Sequence, residues 1–600
     1  MNHIRAYRNV YVLLLFSSVL MTTRLGNTHL WDQDEGYYAT TAAEMYSRSD
    51  WITPTFNGKL FGHKPPMMFW GMIAGYHTFG VSELGARFVS SLFGIGTVLL
   101  TYLIAKRLFD SVTGLFAGLA ISSSVMFVMV ARSATADAHL TFFTVLALCA
   151  WIHVYLASSG TTRDEKLKSM RWHHWAIPYA VMGLAVLTKG PIGFLFPTAV
   201  IGLFLLTEMQ TIGSAPNASR VNRWTHWLWP YTPVPFVMTV WRMRPISAVL
   251  MLALIAGPWY ALVQWQTNGE FLREFLGVHH LGRFSNAMDN HSGPFYYYLV
   301  ACIIGMYPWS AFAIPTVLHW VRPLRSETLR SQSLQKQQAS QAVRFVSCWM
   351  GVYLVIFSLA STKLPNYVLP AYPALAIMVG RYFAVWIGNV NNVNRGWLHA
   401  GWILLVAVGL VLGIGIPGCG LLDLDGQTVL DRLHIETQIQ PRIMWFGIVG
   451  VPLIVMGLIG WVQLRSGKTA WSAASFSIAA ASMVGVLCQY VAPEVDRLQA
   501  SQSLAQDWQP VTGRGRIAIN VLGFFRPSMV FYFGQKLNFT DSAEEALRTS
   551  SDQNSIIITT SLQYQQIQDQ LAPEMCVLHR VAQFPEGDEL IVLGNKSLMR

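Results

Sequence analysis

Residues 31–66 read WDQDEGYYATTAAEMYSRSDWITPTFNGKLFGHKPP, and the reading of the fold turns on this stretch. It lies between hydrophobic segments and is long enough to be a true loop. It opens with the Asp34–Glu35 pair among aromatics and closes with His63-Lys64-Pro65-Pro66. Charges and rings kept against a bilayer surface imply a use. The loop is therefore expected to form half of an active site facing the non-cytoplasmic side.

The composition outside the loop is that of a membrane protein. Of 600 residues, 53% are hydrophobic and 12% charged, with a mean hydropathy of +0.37. Soluble domains carry about 25% charged residues. A polytopic membrane protein with one soluble appendage is expected. The net charge of +11 follows from Lys and Arg collecting in short cytoplasmic loops, so no nucleic-acid partner is inferred. Six cysteines with no CxxC pair indicate neither a metal cluster nor a disulfide framework. The first apolar run has a basic start (Arg5, Arg8) but no small-residue cleavage site, and reads as a retained span.

A spanning helix needs about 20 apolar residues. Spans are expected near 8–26, 86–106, 112–131, 138–157, 175–189, 191–207, 246–266, 295–319, 344–361, 366–387, 398–416, 441–464 and 470–491. The apolar run 67–80 is short and is expected to lie along the membrane surface. About thirteen spans with a cytoplasmic N-terminus put the basic loops inside and the acidic loop 417–440 outside. The chain then divides into a transmembrane part, 1–491, and an extracytoplasmic, periplasmic α/β domain, 492–600. The first part holds the outer loop 27–66 and the interfacial helix 67–80. In the second, strands are expected at 516–521, 529–533, 555–559, 576–581 and 589–593, with helices near 500–507 and 543–548.

In this orientation five outer loops carry charge at one depth: Asp34, Glu35 and Lys64; Arg132 and Asp137; Lys189; His279, His280 and Arg283; and Lys363. Charge near hydrocarbon is costly and faces a cavity or a partner. Cations there suit a phosphate, and separated aspartates suit general-base work or metal ligation. Together they point to a lipid-linked phosphate substrate and transfer of a group to an acceptor hydroxyl. Each residue has a plainer reading beside this one. Asp34 and Glu35 fit a helix cap over 36–47, and Lys64 fits a snorkelling interfacial lysine. The histidines fit surface or structural roles, and Trp31, Trp51 and Trp309 fit an aromatic belt.

The stretch DEGYYATTAAEMYSRSDWITPTFNGKLFGHKPPMMFW, with TADAHL, VLTKGP, VHHLGRF…GPFYYYL and FSLASTKLPNYVLPAYPAL, resembles the ArnT-like and protein O-mannosyltransferase-like glycosyltransferases of GT-C fold. The likeness covers most of residues 30–380. It implies an inverting, metal-influenced membrane transferase. Its donor would be a polyprenyl (undecaprenyl) phosphate monosaccharide. Its acceptor would be a lipid (lipid A-like), a glycan or a protein in the periplasm. On that resemblance Asp34 matches the catalytic aspartate, Glu35 its neighbour and Asp137 the second outer-loop aspartate. Lys64 matches the lysine at the donor phosphate, helped by Arg283, Lys189 and Lys363. Arg132, His280 and Tyr38 are assigned to the donor or acceptor cavity. Where aminoarabinose transferases read Glu-Lys-Pro, this chain reads His63-Lys64-Pro65. A divalent metal, zinc or magnesium, held by His63 and His280 is conceivable there. The expected partners are the bilayer of the inner membrane, the lipid donor and the acceptor, with the chain acting as a monomer. A transporter or flippase of an anionic lipid-linked substrate is the competing class, although transporters place their sites near the midplane. A protein O-mannosyltransferase is the alternative within the class.

Overall fold

The computed structural model describes residues 2–160, 162–209, 229–282, 293–325, 334–389, 392–421, 423–424, 427–428, 440–497, 499, 501–502, 504–506, 517–549, 554–582 and 589–599. It is a multi-pass helical membrane protein. Eight helices are long and apolar enough to cross a bilayer, or eleven if each bent pair is one span. The three bent pairs turn by 67° between Ser122 and Val125, by 51° between Arg242 and Pro245 and by 113° between Gly305 and Trp309. A proline lies at or just before the start of the second member in the last two, where it cannot continue the ladder of the first. Two more expected segments, at the N-terminus and at 175–189, are also helical but are not among those eleven.

The first inter-helix segment is ordered by local chemistry. Helix α1 (Asn2–Thr22) leads into α2 (Asp34–Arg48), which is alanine-rich, acidic in its first turn and basic in its last, as the helix dipole favours. It stops at Ser49, whose left-handed backbone lets its N–H reach the Met45 and Tyr46 carbonyls. Strands β1 (Thr55–Phe56) and β2 (Lys59–Leu60) form a hairpin across Asn57-Gly58, both at positive φ, as such a tight turn requires. After Pro65-Pro66 comes α3 (Met67–Phe79), whose 13 residues reach only about 20 Å, short of the hydrocarbon thickness. It packs on α2 and on α4 (Glu83–Leu108). Helices α5 (Ser111–Ser122), α6 (Val125–Ala131) and α7 (Ala136–Ala157) follow.

The C-terminal segment folds a five-stranded mixed sheet. Its order is Asn538–Thr540, Ala518–Leu522, Ser555–Thr560, Glu589–Asn595, Met575–Ala582, the first three parallel and the last two joined antiparallel. Both faces of its centre are covered. Ile556 and Ile558 face one apolar cluster and Ile557 another, which explains why SIIITT carries three consecutive isoleucines rather than alternating apolar and polar residues. The expected strand at 529–533 is instead part of a helix, Pro527–Phe533. Pro527 sits in its first turn, and Met529, Val530 and Phe533 are buried together, as a helical face places them. A short strand at 538–540 was not foreseen by periodicity.

One apolar cluster joins Tyr38, Ala39, Phe56 and Phe61 of the first inter-helix segment and Phe69 and Ile73 of α3 to Val521, Met529, Val530 and Ile558 of the sheet segment. The C-terminal segment is thus built onto the first loop and shares its core.

Candidate active site

Asp34 and Glu35 are neighbours with opposite surroundings. Asp34 is the first residue of α2, exposed, and Gln33 rather than Asp34 stands at the cap position. The expected capping role therefore does not consume its carboxylate. Glu35 is 5% exposed. Its Oε1 accepts from Arg87 Nε at 2.8 Å and from Ala134 N–H at 2.7 Å. Its Oε2 accepts from Arg87 Nη2 at 2.7 Å and from Trp31 N–H at 3.0 Å. Burial alone would raise its pKa. The Arg87 charge and these hydrogen bonds outweigh it and hold the carboxyl below the usual carboxylate range. With both oxygens engaged twice, Glu35 is a positioning residue rather than a catalytic one. Arg87 was missed in the sequence because it sits one turn inside an apolar span, the only Arg or Lys between Lys64 and Lys106.

Gln33, just before Asp34, adopts φ 70°, ψ −112°, a conformation that costs about 1–3 kcal/mol in an L residue. It is held from both sides. Beyond it is the Glu35 knot. Before it, Asp32 Oδ1 accepts from the Ser528 N–H at 3.1 Å and from the Ser528 hydroxyl, with Arg526 Nε 3.9 Å from Oδ2. Gly36 lets this seam close, since a Cβ there would lie 2.5 Å from Ser528 N.

Lys64 is 7% exposed, donates to the His63 carbonyl at 3.3 Å and lies 5.7 Å from the centroid of the buried Tyr38 ring. His63 stacks on Phe61, ring centroids 4.0 Å apart, and its Nε2 is 3.7 Å from Glu274 Oε1. Glu274 comes from the helix Arg273–Gly282, so a segment distant in sequence meets the first loop here. Burial raises the Glu274 pKa, with a hydrogen bond from the Gly62 N–H opposing it.

The second carboxylate is shared among loops. Asp137, in the first turn of α7, is 5% exposed. Lys189 Nζ donates to its Oδ1 at 2.5 Å and Asn366 Nδ2 to its Oδ2 at 2.9 Å. Lys189 lies over the Tyr367 ring at 4.7 Å and is close enough to feel the charge of Asp34. Asp137, Lys189 and Asn366, far apart in sequence, therefore come together, with Asp34 near enough for its charge to act on Lys189. Asn366 and Tyr367 were missed, although they follow Lys363 in TKLPNY.

Other expected residues carry scaffold bonds. Arg132 Nη1 donates to the Leu20 carbonyl at 2.9 Å, tying the end of α6 to α1. Lys363 Nζ donates to the Ser358 and Ala360 carbonyls, both at 2.8 Å, closing the end of the preceding helix. Among the described residues neither bonds Asp34 or Asp137. Arg283 lies outside the described residues, as does the side chain of His280. Among the described residues no three His, Cys, Asp or Glu side chains gather as a metal site would need. The pair His63 and Glu274 supplies two donors, so no step below is routed through a metal.

Known proteins bear on this arrangement in three ways. The dolichyl-phosphate-mannose-protein mannosyltransferase family matches residues 63–216. A protein of Aquifex aeolicus, itself of no assigned function, is 29% identical over 398 residues, 66% of this chain and 68% of its own length. The undecaprenyl phosphate-alpha-4-amino-4-deoxy-L-arabinose arabinosyl transferase of Pseudomonas aeruginosa is 28% identical over 404 residues, 66% of this chain and 64% of its own. The chain thus spans just under two thirds of the length of that transferase. In fold, the crystal structure of ArnT from Cupriavidus metallidurans bound to undecaprenyl phosphate superposes with a TM-score of 0.73. It covers 98% of this chain and 99% of its own at 20% identity. By sequence the chain is thus similar to these transferases, and its fold is that of the ArnT structure.

Proposed function

We propose that the chain is an inverting glycosyltransferase, moving a monosaccharide from an undecaprenyl (polyprenyl) phosphate donor to a lipid, glycan or protein acceptor on the periplasmic face of the inner membrane. The observation that carries this reading is the junction of Asp34, Asp137 and Lys189. One carboxylate, Asp137, bonds the cation and a second, Asp34, lies near enough for its charge to act on it, at the end of the bundle where Lys64 also lies. The named activity of the arabinosyl transferases supports the donor class.

In this mechanism the acceptor oxygen attacks the anomeric carbon from the face opposite the phosphate. The bond from that carbon to the phosphate oxygen breaks, and its electron pair leaves with the polyprenyl phosphate. Lys64, held against Tyr38, binds that phosphate and stabilises its growing charge. Asp34 takes the proton of a hydroxyl acceptor. A phosphate acceptor is already ionised, and Asp34 then orients it. Lys189, fixed by Asp137, supplies a positive charge close to Asp34.

Asp34→Asn tests this directly. With a radiolabelled lipid donor and a hydroxyl acceptor, transfer is expected to fall about 10²–10⁴-fold, with thermal stability unchanged because Asp34 is exposed. Full activity in that variant removes Asp34 from the chemistry. Movement of labelled donor across vesicles without release of polyprenyl phosphate would replace the enzyme reading with transport.

A further inference from the structure

A second basic site lies at the end of the bundle that carries the first loop, and it shares no residue with the site above. It is a groove of about 350 Å³ between the end of α1 and the ends of the last two spans. Three arginines line it. Arg24 follows α1, Arg442 opens the span Arg442–Arg465 and Arg497 follows the span Thr469–Asp496. Glu494 is the one carboxylate of the lining. Three guanidiniums against one carboxylate leave a surplus of two positive charges.

Two of the three arginines are held in place. Arg24, at φ 53°, donates from Nη1 to the Gln489 carbonyl at 3.0 Å and lies 5.8 Å from the Tyr490 ring centroid. Arg497 Nη1 is 2.8 Å from Glu494 Oε1. Among the described residues no carboxylate pairs with Arg24 or Arg442. The remaining walls are Trp445, Phe446, Ile448, Tyr490, Val491 and Pro493, of which Trp445 is 76% and Tyr490 57% exposed. Large bare aromatics at the ends of spans belong at the interface between headgroups and acyl chains.

We infer that this groove binds a phosphate-bearing lipid of the surrounding leaflet, its phosphate among the three arginines and its first acyl carbons along Trp445 and Ile448. Guanidinium forks match phosphate oxygens, and basic pockets between spanning helices hold lipid headgroups. In the orientation proposed above this is the non-cytoplasmic end, where Lys and Arg are depleted. Three arginines in one groove run against that trend. The apolar walls argue for a lipid rather than a free anion.

Native mass spectrometry of the full-length protein, delipidated in detergent, tests this with three probes: dioleoylphosphatidylglycerol, dioleoylglycerol and inorganic phosphate. Phosphatidylglycerol is expected to be retained at least tenfold more than diacylglycerol, and inorganic phosphate at equal concentration to leave it bound. Arg24→Gln/Arg442→Gln should lose at least tenfold of that retention. Arg442→Gln alone, which leaves the Arg24 bond to Gln489 intact, should lose about threefold. Lys64→Ala should lose none, so failure of the donor-site assignment is distinguishable from failure of this one. Equal retention by the Arg442 variant, equal binding of diacylglycerol, or displacement by inorganic phosphate overturns the inference.

Discussion

Two buried acid–base pairs stand near the ends of these helices, and they have been put to different uses. Glu35 and Arg87 form a closed knot. Each Glu35 oxygen takes one arginine nitrogen and one backbone amide, and Arg87 spends its remaining donors on the Leu25, Thr28 and His29 carbonyls and the Thr28 hydroxyl. Asp137 and Lys189 form an open one. Lys189 has one carboxylate as a partner and a second, Asp34, within reach of its field, and it rests against an aromatic face. Burial of charge therefore does not mark chemistry by itself. What separates the pairs is that the first closes on its own backbone, whereas the second lies within the field of Asp34.

Breaking the closed knot should have the largest effect on folding. Removing one partner of a buried pair costs about 3–5 kcal/mol. Arg87→Ala is expected to cost more than Glu35→Ala, because it also strips donors from three carbonyls. Replacing both by leucine should not restore stability, since the Trp31 and Ala134 amides and those carbonyls would be orphaned, at about 1–3 kcal/mol each. Thermal melts of the three variants order them. The sign with pH is fixed as well. Glu35 has its folded pKa depressed from 4.5, so its stabilisation is complete above that value and lost as pH falls from there through the folded pKa. Glu35→Gln should flatten that acid limb of the stability profile. An unchanged limb would mean that the knot does not govern acid stability.

The open pair should behave the other way. Lys189→Arg keeps the charge, so folding yield should hold. The planar fork cannot reproduce a single point contact to Asp137, and a misplaced carboxylate costs about 10²-fold in turnover. Donor KM should stay within about threefold of wild type, whereas Lys64→Ala should raise it. Wild-type turnover in Lys189→Arg would make this pair as structural as the first, and the contrast would collapse.

Much of this contrast was legible in the chain and part of it was not. Asp34, Lys64, Asp137 and Lys189 stand out because charges at the ends of apolar runs are rare, and the junction needed only a shared end of the bundle. Glu35 looked equivalent to Asp34 because adjacent letters carry no record of which side chain turns inward. Its partner Arg87 lies inside a span, where a single cation reads as a boundary. The strand expected at 529–533 failed for a related reason. MVFYF fits either period, and the choice was made by Pro527 and by the seat of this segment on α2. The Asp32–Ser528 contact joins residues 496 positions apart, which no local pattern could supply.

That contact offers the smallest expected effect and the finest test. If Asp32 and Glu35 together hold Gln33 in its strained turn, Asp32→Ala should release one side only. The lost hydrogen bonds to a charged acceptor amount to about 1.5–3 kcal/mol, read as faster amide exchange over Pro527–Phe533, with the global melt little changed. Turnover should fall severalfold while donor KM holds, because Asp34 is displaced and Lys64 is not. Gln33→Gly removes the strain at φ 70°, so adding it to Asp32→Ala should recover part of the turnover. It should not recover the exchange protection of Pro527–Phe533, which depends on the lost contact itself. Recovery of both, or of neither, would mean that the C-terminal sheet acts on the first loop by some route other than this backbone.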